Sequence, residues 1–389
     1  MKTTIAVTCA ALLISSAAYA GDPGVTDTEI KIGDVNIMTG PAAFVGKGFS
    51  IGSKIAAAEI NASGGINGRK LTIITEDDGY IPARSFQALT KLIDVDGIFA
   101  LNGTSGTANV MAMMPLITDN NLPTMVSEAP AAIVYTPTRP SVFTFGAKYS
   151  DAFYAQLKYI HEHGAAPDAV WGLLRQDDDF GKEVEAGFDR AVKEYGAKTA
   201  PPVRFKKGAS NFSAEMAGMK EAGVTVLANG GIFAGAANIL AEARKLDMNI
   251  QSAGVWSEGI PASAALSAPA GYDFMVADYV SLTGPANDRF KALAKQYVTD
   301  QELTAISRYT YASYIGLKTL AHAMDLCGKD LTRACTIEKL RTLKNFDTGG
   351  LSAPLSFDNP QQLAGTAVGV YQYDVKEKAF KALTDFVHY

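Results

Sequence analysis

Short β-rich runs alternate with longer amphipathic stretches along this chain, and the alternation begins twice. In the first series, residues 29–37 read as a strand, and residues 49–60 carry Phe49, Ile51, Ile55, Ala58 and Ile60 at helical spacing. A Gly-rich turn at 61–69 leads to a strand at 70–75, a helix opened by Pro82, a strand at 97–101, a helix at 107–118 and a strand at 122–126. The second series runs helix 152–163, strand 169–174, helix 182–195, strand 203–205, helix 212–221, strand 224–228 and helix 234–246. A long helix at 309–325 and a terminal hairpin at 367–383 follow. Strand–helix–strand succession folds as a parallel sheet with helices on both faces. The restart therefore predicts an α/β chain of two doubly wound parallel-sheet domains rather than one oversized sheet. No linker-like composition separates the two series, so the chain must pass between domains through short, structured segments.

Composition narrows what such a chain does. The 389 residues are 48% hydrophobic and 19% charged, which excludes an intrinsically disordered chain. A net charge of -5 argues against binding along a phosphate backbone, so no nucleic-acid partner is expected. Three Cys and four His leave little material for a metal site or a histidine base, and neither a metal nor a cofactor is expected. The first 20 residues have the form of an export signal, with Lys2, an apolar run at 5–14, and Ala18-Tyr19-Ala20 before Gly21. That run is too short to span a bilayer, so cleavage after Ala20 and export without membrane insertion are expected. Cys9 lies inside the signal and Gly21, not Cys, stands directly after the cleavage point, so no lipid anchor is expected. Cys327 and Cys335 remain. An oxidising compartment favours their pairing, with two separate buried thiols as the alternative.

In open α/β sheets, ligands bind beyond the carboxyl ends of the strands. That rule selects the loops at 39–46, 102–107 and 127–129 in the first domain, and at 176–181, 229–233 and 255–258 in the second. The loop Asn102-Gly103-Thr104-Ser105-Gly106-Thr107 is rich in hydroxyls and opens a helix. Helix N-terminal amides together with the Thr104, Ser105 and Thr107 hydroxyls suit an anionic oxygen such as a carboxylate. An N-cap alone accounts for one hydroxyl, not three. Ser127 follows the neighbouring strand and adds a donor. Phe44, Tyr149, Phe180, Phe233, Trp256, Tyr309 and Tyr311 recur in or beside these loops, as in a mostly apolar cleft with a few polar groups, although each taken singly is also an ordinary core residue. Glu258 is a candidate to oppose a ligand cation.

A rival pattern points to an enzyme. Tyr154 and Lys158 stand four residues apart, with Ser141 upstream, which resembles the catalytic arrangement of short-chain dehydrogenases. The Gly-rich turn after the first strand, residues 39–48, reads T-G-x-x-x-x-x-G-x-G, longer than that family's T-G-x-x-x-G-x-G, and pairs at i, i+4 are common on any helix. No G-x-S-x-G, H-E-x-x-H or phosphate-loop sequence is present, and no enzymatic activity is expected.

The stretches I-K-I-G, T-G-P, A-A-x-E-I-N, G-G-I-N-G-R-K-L and D-D in residues 25–85 resemble the opening of the leucine/isoleucine/valine-type periplasmic binding proteins of ABC importers. DDDFGKEVEAGF at 177–188 and GGIFAGAANILAEARKL at 230–246 are similar to that family's second-domain elements. The resemblance implies a type I periplasmic binding fold, two lobes joined by three crossover strands and closing by a hinge. It places residues 21–144 and 280–352 in the first lobe, and 145–279 and 353–389 in the second. It implies a monomeric periplasmic protein that delivers a small carboxylate, an amino acid or aromatic acid, to an ABC permease. The same fold as a ligand sensor for a chemoreceptor or kinase is the alternative. It also implies ligand contacts at Thr104, Ser105, Thr107, Ser127, Ala129, Phe180, Phe233, Tyr311 and the loop from Trp256 to Glu258. Val45 stands where the family has an aromatic and the second contact loop reads S-E-A-P, departures that argue against branched-chain amino acids themselves, while the many aromatics suit a planar or aromatic acid.

Overall fold

A computed structural model describes residues 22–389. The expected signal and its cleavage after Ala20 lie outside the described residues. The first lobe is built from β1 (Glu29–Asn36), α1 (Ala43–Ala62), β2 (Lys70–Asp77), α2 (Pro82–Lys91), β3 (Ala100–Asn102), α3 (Thr107–Asp119), β4 (Thr124–Val126), α4 (Ala132–Tyr135) and β5 (Val142–Phe145). The second follows with α5 (Tyr149–His163), β6 (Val170–Gln176), α6 (Asp179–Tyr195), β7 (Lys198–Thr199), β8 (Val203–Phe205), α7 (Ser213–Glu221), β9 (Val224–Gly230), α8 (Ala234–Lys245), β10 (Gln251–Gly254), α9 (Pro261–Ser267) and β11 (Phe274–Asp278). The chain then returns to the first lobe through α10 (Pro285–Ala294), α11 (Asp300–Thr304), α12 (Arg308–Asp325), α13 (Arg333–Arg341) and β12 (Leu363–Ala364). It ends in the second lobe with the antiparallel hairpin β13 (Gly369–Asp374) and β14 (Ala379–Ala382).

The first sheet has the order β12-β5-β4-β3-β1-β2, and the second β14-β13-β11-β10-β9-β6-β7 with β8 also beside β6. All pairs of the first sheet are parallel, and its central strands β3 and β4 are wholly buried, as helices on both faces require. Strand order reverses between β1 and β3 in one sheet and between β6 and β9 in the other. Such switch points leave a crevice at the carboxyl edge. The chain crosses between sheets three times, after β5, after β11 and after β12. Residues 353–364, expected in the second lobe, include β12, which pairs with β5 in the first sheet with Leu363 opposite Thr144. The last crossing therefore falls between Ala364 and Gly369, because the short β12 finds its partners along the edge of β5 before the chain leaves.

Two features set the start of α12 above the crevice. A Cβ at Gly52 would stand 2.4 Å from the Thr310 carbonyl oxygen, so α1 and α12 pack backbone against backbone there. The Ser307 amide donates to the Thr310 hydroxyl at 3.2 Å, satisfying one of the free amides at the helix start. At its far end α12 is tied to α13 by the Cys327–Cys335 disulfide, with Cα atoms 6.0 Å apart. Closing so short a loop contributes about 2–3 kcal/mol by loss of unfolded-chain entropy.

Candidate functional site

The carboxyl edges of the two sheets face each other across a narrow cavity of ≈ 50 Å³. On the first lobe it is lined by Tyr80, Ser105, Thr107, Glu128 and Tyr309, and on the second by Tyr149, Gln176, Asp178, Phe180, Lys207, Phe233, Trp256 and Ser257. The N-terminus of α3 carries Ser105 and Thr107 into it. Gly106 caps that helix at φ +86, a conformation open to glycine, and a Cβ there would strike the Tyr80 ring at 2.5 Å. Thr107 is 8% exposed and its hydroxyl has no partner, and the same is true of the Ser257 hydroxyl at 7% exposure and the Gln176 side-chain oxygen at 4%. Buried polar atoms are nearly always hydrogen-bonded, so these three orphans around one cavity are open to a partner from outside the chain.

The rear wall is a charged cluster shared by elements far apart in the chain. The Arg308 guanidinium, wholly buried, donates from Nε to Asp278 at 2.5 Å and from Nη2 at 2.9 Å, and from Nη1 to Glu128. Glu128 also accepts from the Tyr279 hydroxyl at 2.8 Å and from the Trp256 indole at 3.2 Å. Burial pushes both carboxyls above their ordinary range while Arg308 pulls them back down, and Asp278 raises Glu128 further. Burial alone would lower the guanidinium, but Asp278 and Glu128 hold it well above its ordinary value. The Tyr149 ring stacks on Trp256 at 4.4 Å, and its hydroxyl donates to the Glu128 carbonyl at 3.2 Å. Gln156 on α5 exchanges two hydrogen bonds with the Gly254 backbone, at 2.9 and 3.0 Å, and so fixes the turn that carries Trp256.

The two lobes touch across the mouth. Phe44 meets Phe233 edge-on at 5.1 Å, and the exposed Lys207 places its ammonium 3.6 Å from the Tyr80 ring centroid. Tyr80 and Phe233 both hold positive φ, 64° and 52°, which bulky side chains avoid at a cost on the order of 1–3 kcal/mol. Asn229 accepts from the Gly231 amide at 3.0 Å and donates to the Ala236 carbonyl at 3.2 Å, pinning the turn that holds Phe233 in that conformation.

Of the residues selected from sequence, Ser105, Thr107, Tyr149, Phe180, Phe233, Trp256 and Tyr309 line the cavity, and Phe44 closes its mouth. The others lie elsewhere. Thr104 is wholly buried beneath the loop. The Ser127 hydroxyl packs toward Gly316 of α12, and Ala129 sits in the core of the first lobe beside Val126 and Val134. Glu258 turns inward onto Gly254, is 1% exposed, and burial pushes its carboxyl up to about 8. Tyr311 packs edge-on against Phe290 of α10. The dehydrogenase pattern is not assembled. Ser141 belongs to the first lobe, the Tyr154 hydroxyl donates to Glu194 at 2.8 Å, and the Lys158 ammonium pairs with Glu162. Sequence reasoning passed over Tyr80, Gln176 as an orphan, Lys207, and the Arg308–Glu128–Asp278 cluster. The loop after β2, which carries Tyr80, satisfied the same carboxyl-edge rule; nothing local marks Arg308.

A family model described as a periplasmic binding protein matches residues 29–379. The Leu/Ile/Val/Thr-binding protein of Salmonella typhimurium is 24% identical over 97% of this chain and 99% of its own length. Among solved structures, a solute-binding protein of an ABC transporter from R. palustris, in complex with 4-hydroxybenzoate, superposes with a TM-score of 0.80 at 18% identity, over 92% of this chain and 97% of that one. A branched-chain amino acid ABC transporter protein from Thermus thermophilus with bound valine gives a TM-score of 0.80 at 18% identity, over 94% and 98%. These likenesses to solved structures show the fold.

Proposed function

We propose, on the premise that this chain belongs to the periplasmic binding protein family, that it captures a small organic carboxylate between its lobes and presents it to an ABC permease from the periplasm. Its role is binding rather than turnover, as in its family. The observation that carries the ligand class is the orphaned Thr107 hydroxyl at the N-terminus of α3, beside Ser105. Helix amides and hydroxyls that converge without a partner form a cradle for an anionic oxygen. Valine and 4-hydroxybenzoate, the compounds bound in the two superposed structures, both carry a carboxylate. Three short crossings leave the lobes free to hinge, and a ligand held by both lobes favours the closed arrangement by its differential affinity.

A ligand that binds only the native state raises the melting temperature. A panel of small organic acids followed by thermal unfolding should therefore contain stabilising members. In the double variant S105A/T107A the stabilisation should vanish, with affinity reduced about 100-fold, as two hydrogen bonds to a charged group are lost. Absence of any stabilising acid, or undiminished affinity in the variant, contradicts the reading.

A further inference from the structure

We propose that the cleft selects carboxylates carrying no α-ammonium group, because Arg308, Tyr279 and Trp256 already occupy Glu128, the one buried carboxylate that faces the ligand. The inference rests on the carboxylate-binding reading above and names the ligand class more narrowly. One oxygen of Glu128 accepts from Arg308 and Tyr279, and the other from Trp256. A ligand ammonium placed there would compete with a fixed guanidinium for the same charge.

Among the described residues one other carboxylate, Asp178, lines the cavity. Apart from Asp178 and Lys207, the second lobe lines the cavity with neutral groups, the orphaned Ser257 hydroxyl and Gln176 oxygen among Phe180, Phe233 and Trp256. Glu258 lies one residue from Ser257 but turns away onto Gly254. One oxygen of Asp178 accepts the Gly181 amide at 2.9 Å and caps α6, and its charge is already shared with the Lys207 ammonium. An ammonium enclosed by this wall loses its water without gaining a carboxylate of its own, which is unfavourable. A neutral acceptor at the same position, such as an oxo group, receives a hydrogen bond from Ser257 instead.

Matched pairs that differ only at the α-carbon test this by titration calorimetry. Pyruvate with L-alanine, 4-methyl-2-oxopentanoate with L-leucine, and phenylpyruvate with L-phenylalanine cover three sizes. The oxo acid should bind at least about tenfold more tightly than its partner in every pair that binds. Equal or tighter binding of the ammonium-bearing members overturns this inference while leaving the carboxylate reading intact. Failure of every acid to bind overturns both. As a second variant, S257D places a carboxylate in the neutral wall and should shift the preference toward the amino acid by at least about tenfold. A folded S257D protein that weakens both members of a pair equally also overturns the inference.

Discussion

Replacing Arg308 by methionine is expected to destabilise the protein by about 3–5 kcal/mol, the range for removing one partner of a buried ion pair. The side chain is buried beside Trp256 and Tyr279, with its charge divided between Asp278 and Glu128. Its loss leaves two desolvated carboxylates close together. Both are already pushed upward by burial, and without Arg308 they rise further and take up protons. The penalty should therefore be smaller at pH 5 than at pH 8. Lysine is no substitute, because only the planar fork reaches both carboxylates at once. The triple variant R308M/E128Q/D278N removes the charges together and should recover most of the loss. Thermal and urea unfolding of the three proteins at both pH values checks this. An R308M protein as stable as the parent would mean that the cluster does not hold the rear wall.

Ligand-free protein should also lose stability as pH rises from about 5 to 8. Asp34 in β1 and Glu258 are wholly buried, and burial pushes their carboxyls from 3.8 and 4.5 up to about 8 in each case, against a weaker downward pull from the Ser53 hydroxyl and the Val255 backbone respectively. The unfolded chain gives up both protons near pH 4, while the native state keeps them to about 8. Between those limits the native state binds more protons than the unfolded one, so stability falls with increasing pH, by about 1.4 kcal/mol per pH unit for each group. D34N and E258Q keep the shape and remove the titration. Together they should flatten the profile, stabilising the protein at pH 8 and changing little at pH 5. A double variant with the parent's pH profile would contradict the assignment.

The two-lobed fold was readable because helix and strand periodicities are local. α1, α3, α6, α8 and α12 appear in the sequence with their apolar faces intact. Strands β5, β10 and β11 were not readable. Each is four or five residues long and wholly or nearly buried, so it shows no alternation and resembles any short apolar run. Helices α10, α11 and α13 were also missed. α13 in particular lies on the surface with four buried residues among nine, too few to draw a stripe.

The site divides the same way. Loops at strand ends follow from topology, and that rule reached Ser105, Thr107, Phe180, Phe233 and Trp256. Orientation within a loop does not follow from topology, which is why Thr104, Ser127, Ala129 and Glu258 point elsewhere. The Arg308 cluster joins residues 180 and 30 positions apart, and Tyr279 reaches Glu128 across 151. Ionisable residues paired over such distances look in sequence like solvated charges.

A small organic carboxylate is expected at the α3 N-terminus between the lobes. Native mass spectrometry of protein purified gently from its host tests it most directly, with the released compound identified after denaturation. One small carboxylic acid is expected at near-stoichiometric occupancy in the parent protein, and its loss in S105A/T107A. A bound compound without a carboxylate, or an acid retained equally by the double variant, would contradict it.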